Sequence, residues 1–121
     1  MKYLCLVYLD EKRLPELPDE DCVEFDTSIR NSGHCIASEA LESVQTATTV
    51  RVRDGKVAIT DGPFAETKEQ LAGFYMIDAA DLDEAIRIAA GIPGAARGCV
   101  EVRPVADDAP TQEILAAGGQ S

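Results

Sequence analysis

Residues 71–93 read LAGFYMIDAADLDEAIRIAAGIP, and this stretch decides the fold. Its first eight residues form a strand whose alternate sets, Leu71/Gly73/Tyr75/Ile77 and Ala72/Phe74/Met76, are both mostly apolar. That is the pattern of a strand covered on both faces. The periodicity then changes to that of a helix. Asp81 is placed to cap it, Glu84 completes a capping-box arrangement, and Leu82, Ala85, Ile86 and Ala89 supply a stripe predicted to be buried. Gly91 and Pro93 stop the helix.

Working outward, residues 99–105 make a closing strand with Val100 and Val102 on one face and Cys99, Glu101 and Arg103 on the other. Upstream, 46–53 and 56–60 flank Asp54-Gly55, the commonest two-residue hairpin signal. Val50, Val52, Val57 and Ile59 share one side of this hairpin, and Arg51 and Arg53 point away. Residues 34–41 form a strand, preceded by a helix over 19–32 with Cys22, Phe25 and Ile29 as its stripe. Residues 2–9 are a first strand, also apolar in both alternate sets. The order gives an α+β, ferredoxin-like βαβ–βαβ sheet with a β-hairpin insertion in residues 1–105, followed by a polar 106–121 tail with room for one short helix near 110–117. Two helices cover only one face of such a sheet. The doubly apolar strands therefore call for a second copy packed sheet to sheet, a homodimer of the α/β barrel-like kind.

The chain has 121 residues, enough for one core, and 45% of them are hydrophobic against 27% charged. A net charge of −11 with a pI near 4.3 argues against nucleic acid or an anionic membrane as partner, since both are held through positive patches. The apolar run 3–9 is far shorter than a membrane span and lacks a cleavage region, which points to the cytoplasm. Cys5, Cys22, Cys35 and Cys99 lie inside apolar segments without a CxxC spacing and read as small core residues. There is no Walker, dinucleotide or Ser–His–Asp motif, and neither a metal nor a cofactor is implied.

The most distinctive local sequence is 61–70, DGPFAETKEQ. Asp61-Gly62-Pro63 is turn chemistry, and Phe64 is an apolar residue in a polar loop, expected to plug onto the core or a partner. The loop is readable either as a solvated turn or as a pocket mouth where Asp61, Glu66, Lys68 and Glu69 crowd together. This run, with Ala47-Thr48-Thr49-Val50-Arg51, Gly73-Phe74-Tyr75, Asp81-Leu82-Asp83-Glu84-Ala85, Ile92-Pro93 and Val100-Glu101-Val102-Arg103-Pro104, resembles the DGPF branch of the YCII-related family. The resemblance implies a ferredoxin-like fold that dimerises through its sheets, with a pocket between sheet and partner. It also implies either small lyase-like chemistry or an accessory role beside extracytoplasmic-function sigma factors. The enzymes of that family are thought to use a His from the first helix and an Asp just after the second. Here 19–32 holds no His and Gly91-Ile92-Pro93 follows the second helix, so that dyad does not carry over.

Candidate chemistry therefore rests on other residues. His34 is the single histidine, and Asp61 is a carboxylate able to act with it if the two approach. Glu66, Lys68, Tyr75, Glu101 and Arg103 are the candidate binding residues around an interface pocket. The reading that follows is a homodimer binding a small molecule, with lyase or isomerase-like chemistry free of cofactor. The alternative is a non-catalytic accessory or sensory module of a sigma-factor system.

Overall fold

The chain, taken from a computed structural model, is described over residues 1–106; the short helix for which the sequence leaves room near 110–117 falls outside them. The elements are β1 (Lys2–Leu9), α1 (Asp19–Asn31), β2 (Cys35–Ala40), β3 (Thr48–Arg53), β4 (Lys56–Asp61), β5 (Gln70–Asp78), α2 (Leu82–Ala90) and β6 (Cys99–Pro104). Short 3-10 turns at Glu11–Glu16, Val44–Thr46 and Pro93–Ala96 fill the connections. The turn at Val44–Thr46 is why β3 begins two residues later than the β-forming run suggests.

Four strands pair antiparallel in the order β2-β5-β1-β6, and β3 and β4 pair separately as a two-stranded sheet. In the larger sheet each helical connection spans one intervening strand, the split βαβ arrangement of a ferredoxin-like plan. Register fixes the faces. Tyr3 pairs with Ile77, Cys5 with Tyr75 and Val102, and Val7 with Gly73 and Val100, so these residues share one side. Leu4 lies between Met76 and Arg103, and Leu6 between Phe74 and Glu101, on the other side.

Both helices lie on the first side. Ile29 of α1 and Ala85 and Ala89 of α2 join Tyr3, Cys5, Val7, Leu9, Ile77, Ala79 and Ile92 in one buried cluster, with Phe25 and Ile88 packed against it. Leu4, Leu6, Tyr8, Phe74 and Met76 on the second side are only half-buried, and no helix or strand among the described residues covers them.

Two expectations from the sequence are corrected, and a third is narrowed. Leu82 and Ile86 are each 49% exposed, and the buried face of α2 is Ala85, Ala89 and part of Ile88. Apolar residues in this helix form two overlapping stripes, and the burial of Ile92 just beyond its end turns the second one inward. Cys99 is exposed on the uncovered face rather than in the core. Phe64 is 80% exposed, which removes the expected contact with the core and leaves contact with a partner as the other expectation.

The caps follow the sequence. Asp81 accepts from the Glu84 N–H at 2.9 Å, while the Glu84 carboxylate accepts from the Ala80 N–H at 3.0 Å, one residue short of a reciprocal box. Asp81→Ala should cost about 1 kcal/mol, since α2 is short and loses its one side-chain cap. Thermal melting followed by circular dichroism checks this, and an unchanged midpoint would contradict it. No helix among the described residues is long and apolar enough to cross a membrane.

Candidate functional site

A concavity of about 830 Å³ opens between α1 and the helix-covered side of the sheet. Its volume lies within the range of small-molecule sites. The sequence creates it by pairing small residues with a helix anchored at one end. Ser38 and Ala40 of β2 and Ala72 and Gly73 of β5 form a low wall, while Phe25 and Ile29 tie α1 to the core. The first turns of α1, with Cys22 and the exposed Val23, stand off and leave the space open. Leu9, Leu14, Leu17 and Ile92 make much of the remaining surface apolar, and Asp19 and Glu39 add carboxylates to it.

One rim is held by Glu11. Its carboxylate accepts from the Val44 N–H at 2.6 Å and from the Ser43 hydroxyl at 2.9 Å, pinning the Glu11–Glu16 turn to the Val44–Thr46 turn. The Glu11 N–H in turn donates to Gln70 Oε1 at 3.0 Å. On the opposite wall Arg30 Nε donates to Asp26 Oδ2 at 3.0 Å and Arg30 Nη2 donates to Ser38 Oγ at 3.0 Å, crossing from α1 to β2.

Tyr75 stands between these walls, its ring edge-on to Phe25 with centroids 5.3 Å apart and planes at 86°. Its hydroxyl makes no hydrogen bond among the described residues, and no buried polar side-chain atom lacks a partner, so this phenol opens into the cleft. Burial, then the Asp26 charge, pushes its pKa above the ordinary tyrosine value, with Arg30 pulling the other way. The Cys22 thiol is likewise pushed up, by burial first and then by Asp19 and Asp21. At neutral pH the cleft therefore presents a protonated phenol and a neutral thiol in apolar surroundings. The phenol is suited to donate a hydrogen bond, not to remove a proton.

A second, smaller hollow of about 470 Å³ lies on the other side, lined by Tyr8, Thr67, Lys68, Glu69, Cys99, Val100 and Glu101. The Cys99 thiol approaches Glu69 Oε1 at 3.7 Å, and desolvation, then the charge of Glu69, raises its pKa. Lys68 and Glu101 thus meet at one hollow, and Arg103 Nη1 lies 3.6 Å from Glu101 Oε2 beside it. Glu66 is an exposed residue of the same loop.

The other expected companions are apart. Tyr75 shares a face with Cys5 and Val102, opposite to Glu101 and Arg103, so these three candidates do not line one pocket. The His34 ring bonds through Nδ1 to the Asp78 carbonyl at 2.8 Å and lies 3.8 Å from Glu84 Oε1, at the end of β5. Asp61 is an exposed residue opposite Thr48 at the base of the hairpin. Residues 62–69 connect the hairpin to the Gln70 end of β5, and the strand runs about 27 Å from there to Asp78. His34 and Asp61 form no pair. No group of three or more His, Cys, Asp and Glu among the described residues is placed to hold a metal ion.

Sequence reasoning missed Asp26, Arg30, Ser38 and Cys22. The usable signals were the i,i+4 spacing of Asp26 and Arg30 and the run of small residues in β2 facing that helix.

Compared with known proteins, residues 1–108 match a family model described as "YCII-related domain". A curated protein of Rhizobium meliloti (strain 1021), described as "Uncharacterized protein R00369", is 53% identical over 62 residues. That match covers 50% of this chain and 50% of the relative, so the chain spans about half the length of the curated relative it matches.

Proposed function

The chain belongs to the YCII-related family, and from that premise we propose that it is a homodimeric binder of a small, mostly apolar molecule carrying one hydrogen-bond acceptor. The observation that carries this reading is the Tyr75 phenol, held protonated and without a partner among the described residues, inside an apolar cleft of about 830 Å³. A ligand acceptor such as a carboxylate or carbonyl oxygen would take its proton-bearing hydroxyl. The apolar surface of Leu9, Leu14, Leu17 and Ile92 would take the rest. The pocket in this reading lies within each chain, under α1, rather than between chains.

The homodimer is supported by the uncovered side of the sheet, where Leu4, Leu6, Tyr8, Phe74 and Met76 stay half-exposed beside Leu71. A contiguous apolar face of this extent marks an association surface. Two sheets packed through these faces would place Glu101 and Arg103 at the edge of the contact.

Binding can be followed with a sulfonated anilinonaphthalene dye excited directly, at wavelengths where neither tyrosine nor indole absorbs, so that a substitution to Trp does not disturb the readout. Saturable binding at one dye per chain is expected. Ala40→Trp, which sets an indole across the cleft mouth on an edge strand, should abolish it. Tyr75→Phe should weaken binding about threefold to tenfold, the worth of one neutral hydrogen bond. Dye binding that survives Ala40→Trp unchanged would place the dye elsewhere and sink the proposal.

A further inference from the structure

The hairpin of β3 and β4 stands apart from the main sheet as a sheet of its own. Val50 pairs with Ile59 and Val52 with Val57, so four β-branched side chains form one stripe. Each is between 56% and 68% exposed. Asp54 and Gly55 turn the chain at φ 53° and 74°, the geometry that lets the two strands twist together. A two-stranded ribbon with an unburied apolar stripe is marginally stable by itself in water. Among the described residues it gains little beyond the bonds at its base, from the Gly62 N–H to the Ala47 carbonyl at 2.7 Å and from the Thr49 hydroxyl to the Gly62 carbonyl at 2.8 Å.

From these observations we infer that residues 48–61 are a clasping arm whose Val50/Val52/Val57/Ile59 stripe lies on a second copy of this chain. This inference rests on the homodimer reading and says which element secures it. Two arguments select a second copy as the occupant. The first is area. The uncovered side of the four-stranded sheet has a flat footprint of roughly 400 Å², against about 800 Å² per partner in a standard interface. Two six-residue strands add roughly 200 Å² more, half as much again. Reciprocal arms under two-fold symmetry would supply that increment twice.

The second argument is charge. The arm carries Arg51, Arg53 and Lys56 against Asp54 and Asp61, a net of +1 within a chain of −11, so the remainder bears −12. Two copies repel through those remainders, and a cationic arm laid on the partner relieves the repulsion where they meet. Arg51 and Arg53 lie on the face opposite the stripe, so the outer side of the arm is cationic while the valines face apolar surface.

Sedimentation equilibrium at micromolar concentration tests the arm with the full chain and three variants. Val52→Glu/Ile59→Glu places charge in the stripe. Val52→Thr/Ile59→Thr keeps the β-branched shape while removing apolar surface. Leu6→Glu alters the sheet face alone. The arm is supported if the wild type is a dimer and both stripe variants weaken it at least about tenfold with unchanged circular dichroism. It is overturned, with the homodimer intact, if both stripe variants dimerise as the wild type does while Leu6→Glu disrupts the pair. A monomeric wild type overturns arm and homodimer together.

Discussion

Gly98→Ala is expected to destabilise the protein by about 3 kcal/mol or more, at the upper end of what overpacking costs. A Cβ at this position would lie 2.0 Å from the Tyr8 carbonyl oxygen and 3.1 Å from Glu69 Oε2. The first of these is backbone, fixed where Tyr8 pairs with Cys99 at the first step of the β1–β6 ladder. It cannot swing aside as the end of a side chain could. Relief requires β6 to part from β1, and that seam also carries Val100 and Val102 against the core. In a domain whose whole stability is about 5–15 kcal/mol, this is a large fraction.

Gly55→Ala provides the contrast. A Cβ there meets nothing within 4 Å, but the residue sits at φ +74°, so the cost is conformational strain of about 1–2 kcal/mol. It should also be confined to the hairpin. Urea unfolding of the two variants separates these causes. Equal midpoints would refute the claim that the β1–β6 approach, rather than glycine conformation in general, limits stability. Gly98→Ala should also distort the hollow formed by Glu69, Cys99 and Glu101, whose walls are the same backbone.

How much of this was legible in the sequence depended on whether a feature is local or emerges between elements. The hairpin was readable to its register, since Asp54-Gly55 dictates the turn and the turn dictates that Val50 meets Ile59. The strand–helix passage from Gln70 to Ala90 was readable for the same reason, as the period of apolar residues changes where Asp81 caps. The uncovered side of the sheet also followed, from two doubly apolar strands and only two helices. The cleft did not. It depends on α1 being tethered at Phe25 and Ile29 while its first turns stand off, a property of the gap between elements.

The candidate site shows the same division. His34 and Asp61 attract attention by residue type, yet His34 is bonded to Asp78 at the end of β5 while Asp61 pairs with Thr48 in the separate hairpin, a matter of topology alone. Glu101 and Arg103 were correctly placed on one face by alternation, but Tyr75 belongs to the other, because the face of a strand in a sheet is set by its partner's register. The two stripes of α2 were equally good by period, and only the buried Ile92 beyond the helix decides between them.

Ile77→Ala should lower stability by about 2–5 kcal/mol, the cost of a cavity where the surrounding side chains cannot collapse. Ile77 is fully buried, lies between Tyr3 and Cys35 in the sheet, and belongs to the cluster beneath the helices. Met76, its neighbour in β5, points to the uncovered side and is only half-buried. Met76→Ala should therefore cost the isolated chain about 1 kcal/mol or less, since little of its surface is removed from water there. In a homodimer the same substitution acts through mass action, so its effect must grow with protein concentration. Denaturant unfolding at two protein concentrations reads both quantities. The expected result is a large loss for Ile77→Ala at either concentration, and for Met76→Ala a small loss in dilute protein that increases in concentrated protein. Comparable losses for the two in dilute protein would mean that the helix-covered side is not the principal core. A Met76→Ala effect independent of concentration would mean that the uncovered side does not meet a partner.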